Sequence, residues 1–133
     1  KVSPGEQQPE TDHRMETDDS SKGNTEGIFF RDAQDGHYFS YLMQTKGETN
    51  LSLQLKFWGQ DEWRTSEFDI YVNDKLLCSV NNSHRWRTTQ FKTVDYEIPA
   101  EFVKGKKEVR VKFVAHKGKQ VGQIYGVRLV KNY

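Results

Sequence analysis

The 133 residues suffice for one domain that buries most of its apolar surface without a covalent staple. A net charge of +1 argues against a nucleic-acid binder, which would carry a much stronger basic face. The single cysteine, Cys78, excludes a disulfide framework and a multi-cysteine zinc site, and no run of 18 apolar residues marks a membrane span.

Residues 1–9 have linker composition and no leader-peptide pattern, and residues 10–133 read as one domain. Through residue 27 only Val2 and Met15 are apolar, and seven acids against three Lys/Arg leave this stretch at −4 and the remainder at +5. Asp18, Asp19, Ser20, Ser21, Gly23 and Asn24 supply loop chemistry, suiting either a tether or a strap along the domain edge. From Ile28 the period is two. Leu51, Leu53, Leu55 and Phe57 alternate with polar or larger neighbours, as do Phe68, Ile70 and Val72, and Val109, Val111, Phe113 and Ala115. Each set is the signature of a strand with one buried face. Weaker strands are expected at 37–44, 75–80, 91–98 and 123–131. Thr45-Lys46-Gly47-Glu48 and Asn73-Asp74 supply turns, and Pro99 to Gly105 suits one helical turn. The expected architecture is all-β: a β-sandwich or jelly roll of about seven to nine mostly antiparallel strands.

Catalytic patterns are missing. No Gly-x-Ser-x-Gly occurs, and His13, His37, His84 and His116 lack metal-ligand spacing. Cys78 lies in phase with Leu76 and Val80 and is expected to point into the core as a small hydrophobe. Asp32, Asp35, Asp61, Glu62, Asp69 and Asp95 are too scattered to name a glycosidase pair from spacing. A structural calcium is conceivable at Asp32, Asp35 and Gly36 or at Asp18-Asp19, although acids in turns mostly serve the turn itself. No other cofactor is expected.

Two stretches combine an aromatic ring with polar forks, the chemistry that holds sugars. Gly59 to Thr65 carries Trp63 and Arg64, and Asn81 to Arg87 carries His84, Trp86 and Arg87. These five are the candidate carbohydrate-binding residues. The competing role for both tryptophans is to close the open end of the sandwich. Trp58, at a strand end, is assigned to packing. Lysines 104, 106, 107, 112, 117 and 119 read as a solvated edge that discourages aggregation, with docking of an acidic polysaccharide as a second use.

The order of short motifs supports a family resemblance. It runs through Gln8-Pro9-Glu10-Thr11-Asp12-His13, Ser20-Ser21, Gly23, Phe30-Arg31-Asp32-Ala33, Gly36, and Phe39-Ser40-Tyr41. It continues through Phe57-Trp58-Gly59, Asp61, Arg64, Phe68-Asp69-Ile70, Ile98-Pro99 and Gly126-Val127-Arg128. Over residues 8–131 the chain resembles the C-terminal β-sandwich module of Bacteroidetes proteins related to the β-L-arabinofuranosidase glycoside hydrolase family. His37-Tyr38 departs from that pattern. The resemblance implies a galactose-binding-like jelly roll and a domain of unknown function. It places an upstream catalytic barrel in the same polypeptide, itself periplasmic or extracellular. Catalysis belongs to that barrel, and Cys78 inherits no role in it. The implied function is a non-catalytic accessory module that packs on the barrel, binds plant glycan, or both; the alternatives are an independent glycosidase or a protein-interaction module. The resemblance further implies that Glu10 to Gly23 form an ordered strap, with Arg31, Asp32, Arg64 and Asp69 as structural charges.

Overall fold

The computed structural model describes residues 1–60 and 65–133. Its strands are β1 (Glu16–Thr17), β2 (Ser21–Thr25), β3 (Ile28–Asp32), β4 (Tyr38–Gln44), β5 (Leu51–Trp58), β6 (Glu67–Val72), β7 (Lys75–Asn81), β8 (Phe91–Glu97), β9 (Glu108–Ala115) and β10 (Ile124–Lys131). Two short helices, α1 (Gln7–Asp12) and α2 (Ala100–Val103), complete the elements. One sheet runs β1-β4-β9-β6-β7, the other β2-β3-β10-β5-β8, with antiparallel neighbours throughout. The expected sandwich is what forms.

The alternating residues meet between the layers. Leu53, Leu55, Phe68, Ile70, Val72, Val111, Phe113 and Ile124 are fully buried, each removal from water contributing about 1.5–3 kcal/mol. Phe57 of one sheet reaches Phe68 of the other at 6.4 Å between ring centroids, and Phe39 lies 5.2 Å from Phe113. Asn73 and Asp74 both adopt the left-handed conformation that a two-residue hairpin requires.

Three findings differ from the sequence reading. Residues 1–9, read as linker, include Val2, which is fully buried and exchanges backbone hydrogen bonds with Val127 at 2.8 and 3.1 Å. Gly5 has φ +84°, and a Cβ there would stand 2.6 Å from the Phe30 carbonyl oxygen. Next, β1 and β2 lie in the stretch through residue 27 whose polar composition reads as loop, and β3 follows directly, where no strand is expected. They are short, and β1 and β2 are edge strands, so they need little apolar alternation. Finally, Leu76 is 51% exposed. The β6–β7 register shifts between Ile70 and Tyr71, so Cys78 opposes inward Ile70 while Leu76 opposes Tyr71 and faces outward. Cys78 packs against the core, half-buried on an edge strand.

Candidate functional site

Three connections gather at one end of the sandwich: the one leaving Trp58, the one following Asn81, and the one leading into Ile124. Backbone bonds knit them together. The Gly59 N–H donates to the Gln90 carbonyl at 2.9 Å, Asn82 N–H to Ser66 at 2.8 Å, and Gln120 N–H to Thr65 at 3.0 Å. Gly59 is demanded by this closeness, because a Cβ would lie 2.8 Å from the Gln90 carbonyl oxygen. Ser66 Oγ donates to the Val121 carbonyl at 2.8 Å.

A narrow crevice opens among these loops, lined by Phe57, Trp58, Ser66, Asn82, Trp86 and Gln123. Asn82 is 8% exposed. Its Oδ1 accepts from Arg85 at 2.9 Å, while its Nδ2 is buried with no acceptor. Leaving a buried donor unmatched costs about 1–3 kcal/mol. The Arg85 guanidinium lies 4.6 Å from the Trp86 ring, and Phe57 stands 5.8 Å away at 31°. Trp86 is therefore partly sealed into the core and partly open to the crevice. Burial pushes the Tyr96 hydroxyl up to about 12, with the Arg85 charge opposing.

Of the five candidates, His84, Trp86 and Arg87 share one loop. His84 is exposed in a left-handed conformation, and Arg87 is exposed. Trp63 and Arg64 lie outside the described residues. Sequence reasoning passed over Asn82, although a signal exists: it continues the inward phase of Cys78 and Val80, placing an amide where a strand would carry a hydrophobe. Trp58, assigned to packing, lines the crevice and meets Phe91 edge-on at 4.8 Å.

Of the acids considered for hydrolysis or calcium, Asp61 and Glu62 lie outside the described residues, while Asp18, Asp32, Asp35, Asp69 and Asp95 are engaged within the fold. Asp32 accepts from the Gly122 N–H at 2.9 Å, Asp35 from Gly118 at 2.8 Å and Asp95 from Gln54 at 3.0 Å. Asp69 accepts from Ser79 at 2.5 Å and meets His116 at 2.7 Å. Burial works against the Asp69 carboxylate, but those two partners hold its pKa below the usual range. Asp18 takes the Tyr38 N–H at 2.8 Å and His37 at 2.9 Å. Desolvation opposes it, yet the bonds from Tyr38, His37 and the Asp19 amide bring its carboxyl down to about 2. Among the described residues, no three His, Cys, Asp or Glu side chains gather as a metal site. Burial raises the Cys78 thiol, with Asp69 adding to the rise, which is the reverse of an activated nucleophile.

Comparison with known proteins adds a family and a set of similar folds. A family described as "Family of unknown function (DUF6805)" matches residues 1–130. No curated protein matches. A family 35 carbohydrate-binding module from an environmental isolate superimposes with a TM-score of 0.65 at 21% identity, covering 86% of this chain and 81% of that one. The family 35 module of Clostridium thermocellum gives 0.65 at 9% identity, covering 89% and 92%. An exo-β-1,3-galactanase from Phanerochaete chrysosporium gives 0.66 at 11% identity over 90% of this chain and 28% of its own. The shared property is the sandwich fold of carbohydrate-binding modules.

Proposed function

We propose that this chain, which belongs to that family of unknown function, is a non-catalytic accessory module that binds glycan at its loop end. The observation that carries the reading is the Asn82 Nδ2 donor, buried without an acceptor in a crevice beside Trp58 and Trp86. A sugar hydroxyl or ring oxygen supplies the missing acceptor, and the indole rings supply apolar contact for its C–H faces. His84 and Arg87, exposed on the same loop, extend the polar rim. We place the module downstream of a catalytic barrel related to the β-L-arabinofuranosidases, in a periplasmic or extracellular enzyme acting on plant polysaccharide. The motif order from Gln8 to Arg128 supports that placement.

The test is a titration of the chain with neutral arabinan and galactan oligosaccharides, followed by amide and indole chemical shifts. The Asn82 side-chain amide and Trp86 indole signals should move, and Asn82→Ala should weaken binding by about tenfold, one lost hydrogen bond. Silence of residues 82–87 across the panel overturns the reading, as does turnover of aryl arabinofuranosides by this chain alone.

A second reading, packing against the upstream domain, draws on the β2–β3 hairpin. There Ile28 and Phe29 are 40% and 43% exposed side by side. The two uses occupy different parts of the molecule and are compatible.

A further inference from the structure

The outer face of the β2-β3-β10-β5-β8 sheet holds a groove of about 180 Å³ whose lining includes Lys1, Gln54, Lys56, Thr93, Gly126 and Arg128. We propose that this groove is a second glycan-binding site, selective for sugars that carry a carboxylate. The inference rests on the reading of the chain as a glycan-binding module and adds a ligand class and a separate place.

Register builds the groove. Leu53, Leu55 and Phe57 point into the core, so Gln54 and Lys56 point out. Lys56 stands between Thr93 of β8 and Gly126 of β10, and one row along Gln54 stands between Asp95 and Arg128. Gly126 follows the register shift after Ile124. Lacking a side chain, it leaves a gap in the outer layer; a Cβ there would stand 3.3 Å from the Lys56 Cβ. Lys56 and Arg128 flank that gap from adjacent strands.

Charge then sets the ligand. Among the described residues neither Lys56 nor Arg128 has a carboxylate at ion-pair distance. Asp95, the acid in the neighbouring row, is held by the Gln54 amide at 3.0 Å. The Lys56 ammonium instead lies 4.4 Å from the centroid of Phe91. That ring is itself packed by Trp58 edge-on and by Tyr125 at 5.0 Å, so the ammonium rests on apolar surface. A uronate residue matches each part. Its carboxylate settles over Gly126 between the guanidinium and the ammonium, where a fork-shaped donor binds it best. Its hydroxyls face Thr93 and the Gln54 amide. A neutral sugar leaves both cations without an anion, so the discrimination is electrostatic and falls with salt.

The experiment is calorimetry and chemical-shift mapping of the whole chain with trigalacturonate, its methyl ester and a sulfated galactan trisaccharide. Trigalacturonate should move Gln54, Lys56, Thr93 and Arg128 while leaving residues 82–87 in place. Its affinity should fall by roughly tenfold or more in the Lys56→Gln/Arg128→Gln variant, and again on raising salt. Both replacements are at the surface, and an unchanged amide spectrum outside the groove confirms the fold. Asn82→Ala should leave uronate affinity unchanged, so failure of the loop-end site is distinguishable from failure of this one. The inference is overturned if trigalacturonate does not bind, if it binds the double variant as tightly as the parent, or if the ester binds equally well. Occupancy by the sulfated sugar alone would overturn the carboxylate assignment.

Discussion

Glu10 fastens the amino-terminal stretch to the sandwich. Its carboxylate accepts from Arg31 Nε at 2.6 Å, Arg31 Nη2 at 2.8 Å and the Tyr41 hydroxyl at 2.6 Å, and Arg31 also reaches Ser20 at 2.8 Å. Both charged groups are nearly enclosed, at 7% and 10% side-chain exposure. Removing one partner of such a pair strands the other, so Glu10→Gln should cost on the order of 3 kcal/mol in a urea melt, far more than a surface change. Burial alone would raise the Glu10 pKa, but the bonds from Arg31 and Tyr41 outweigh it and lower it. A depressed carboxylate contributes stability at pH values above its unfolded pKa, near 4.3, and loses it as pH falls through the folded value. Melting temperature should therefore hold steady from neutral pH to about 5 and drop below it, and Glu10→Gln should flatten that drop. At this scale the sequence is least legible: Glu10 and Arg31 are separated by 20 intervening residues of mostly polar composition, and only the resemblance singles out Arg31 as structural.

The elements divide by how much of their sequence faces the core. β5, β6 and β9 alternate cleanly because one face of each is sealed between the layers, and all three are plain from periodicity. β1 to β3 are not, since β2 exposes or half-exposes every residue and β3 buries only Arg31 and Asp32. β7 shows a different failure. Its bulge reverses the facing of Leu76 relative to Cys78, and a bulge leaves no mark in a pattern of apolar residues. Leu76 then sits half-exposed on an edge strand, the position most prone to pairing with another copy. Leu76→Lys should change stability by less than about 0.5 kcal/mol while reducing concentration-dependent association in light scattering. By contrast, Phe68→Ala, at the meeting of the two sheets, should cost about 3–5 kcal/mol in the same denaturation assay. The candidate site was legible as a loop of mixed aromatic and polar residues; the orphan amide of Asn82 needed coordinates, because hydrogen-bond satisfaction is not a property of composition.

For the molecule as a whole, the strap from Val2 to Met15 belongs to the folded unit. Val2 pairs with Val127, Leu42 N–H donates to the His13 carbonyl at 2.7 Å, and Met15 packs on the core. The Val2–Val127 pair is antiparallel, so the chain runs into this sheet and out of it on the same side. Tension across the two ends would therefore peel Val2 away in the manner of a zip, one hydrogen bond after another, with no resistance from sliding along the strand. The next restraint to load is Glu10 on Arg31 and Tyr41. A stretched molecule should yield first at its strap and at low force, leaving the layered sheets to resist until later.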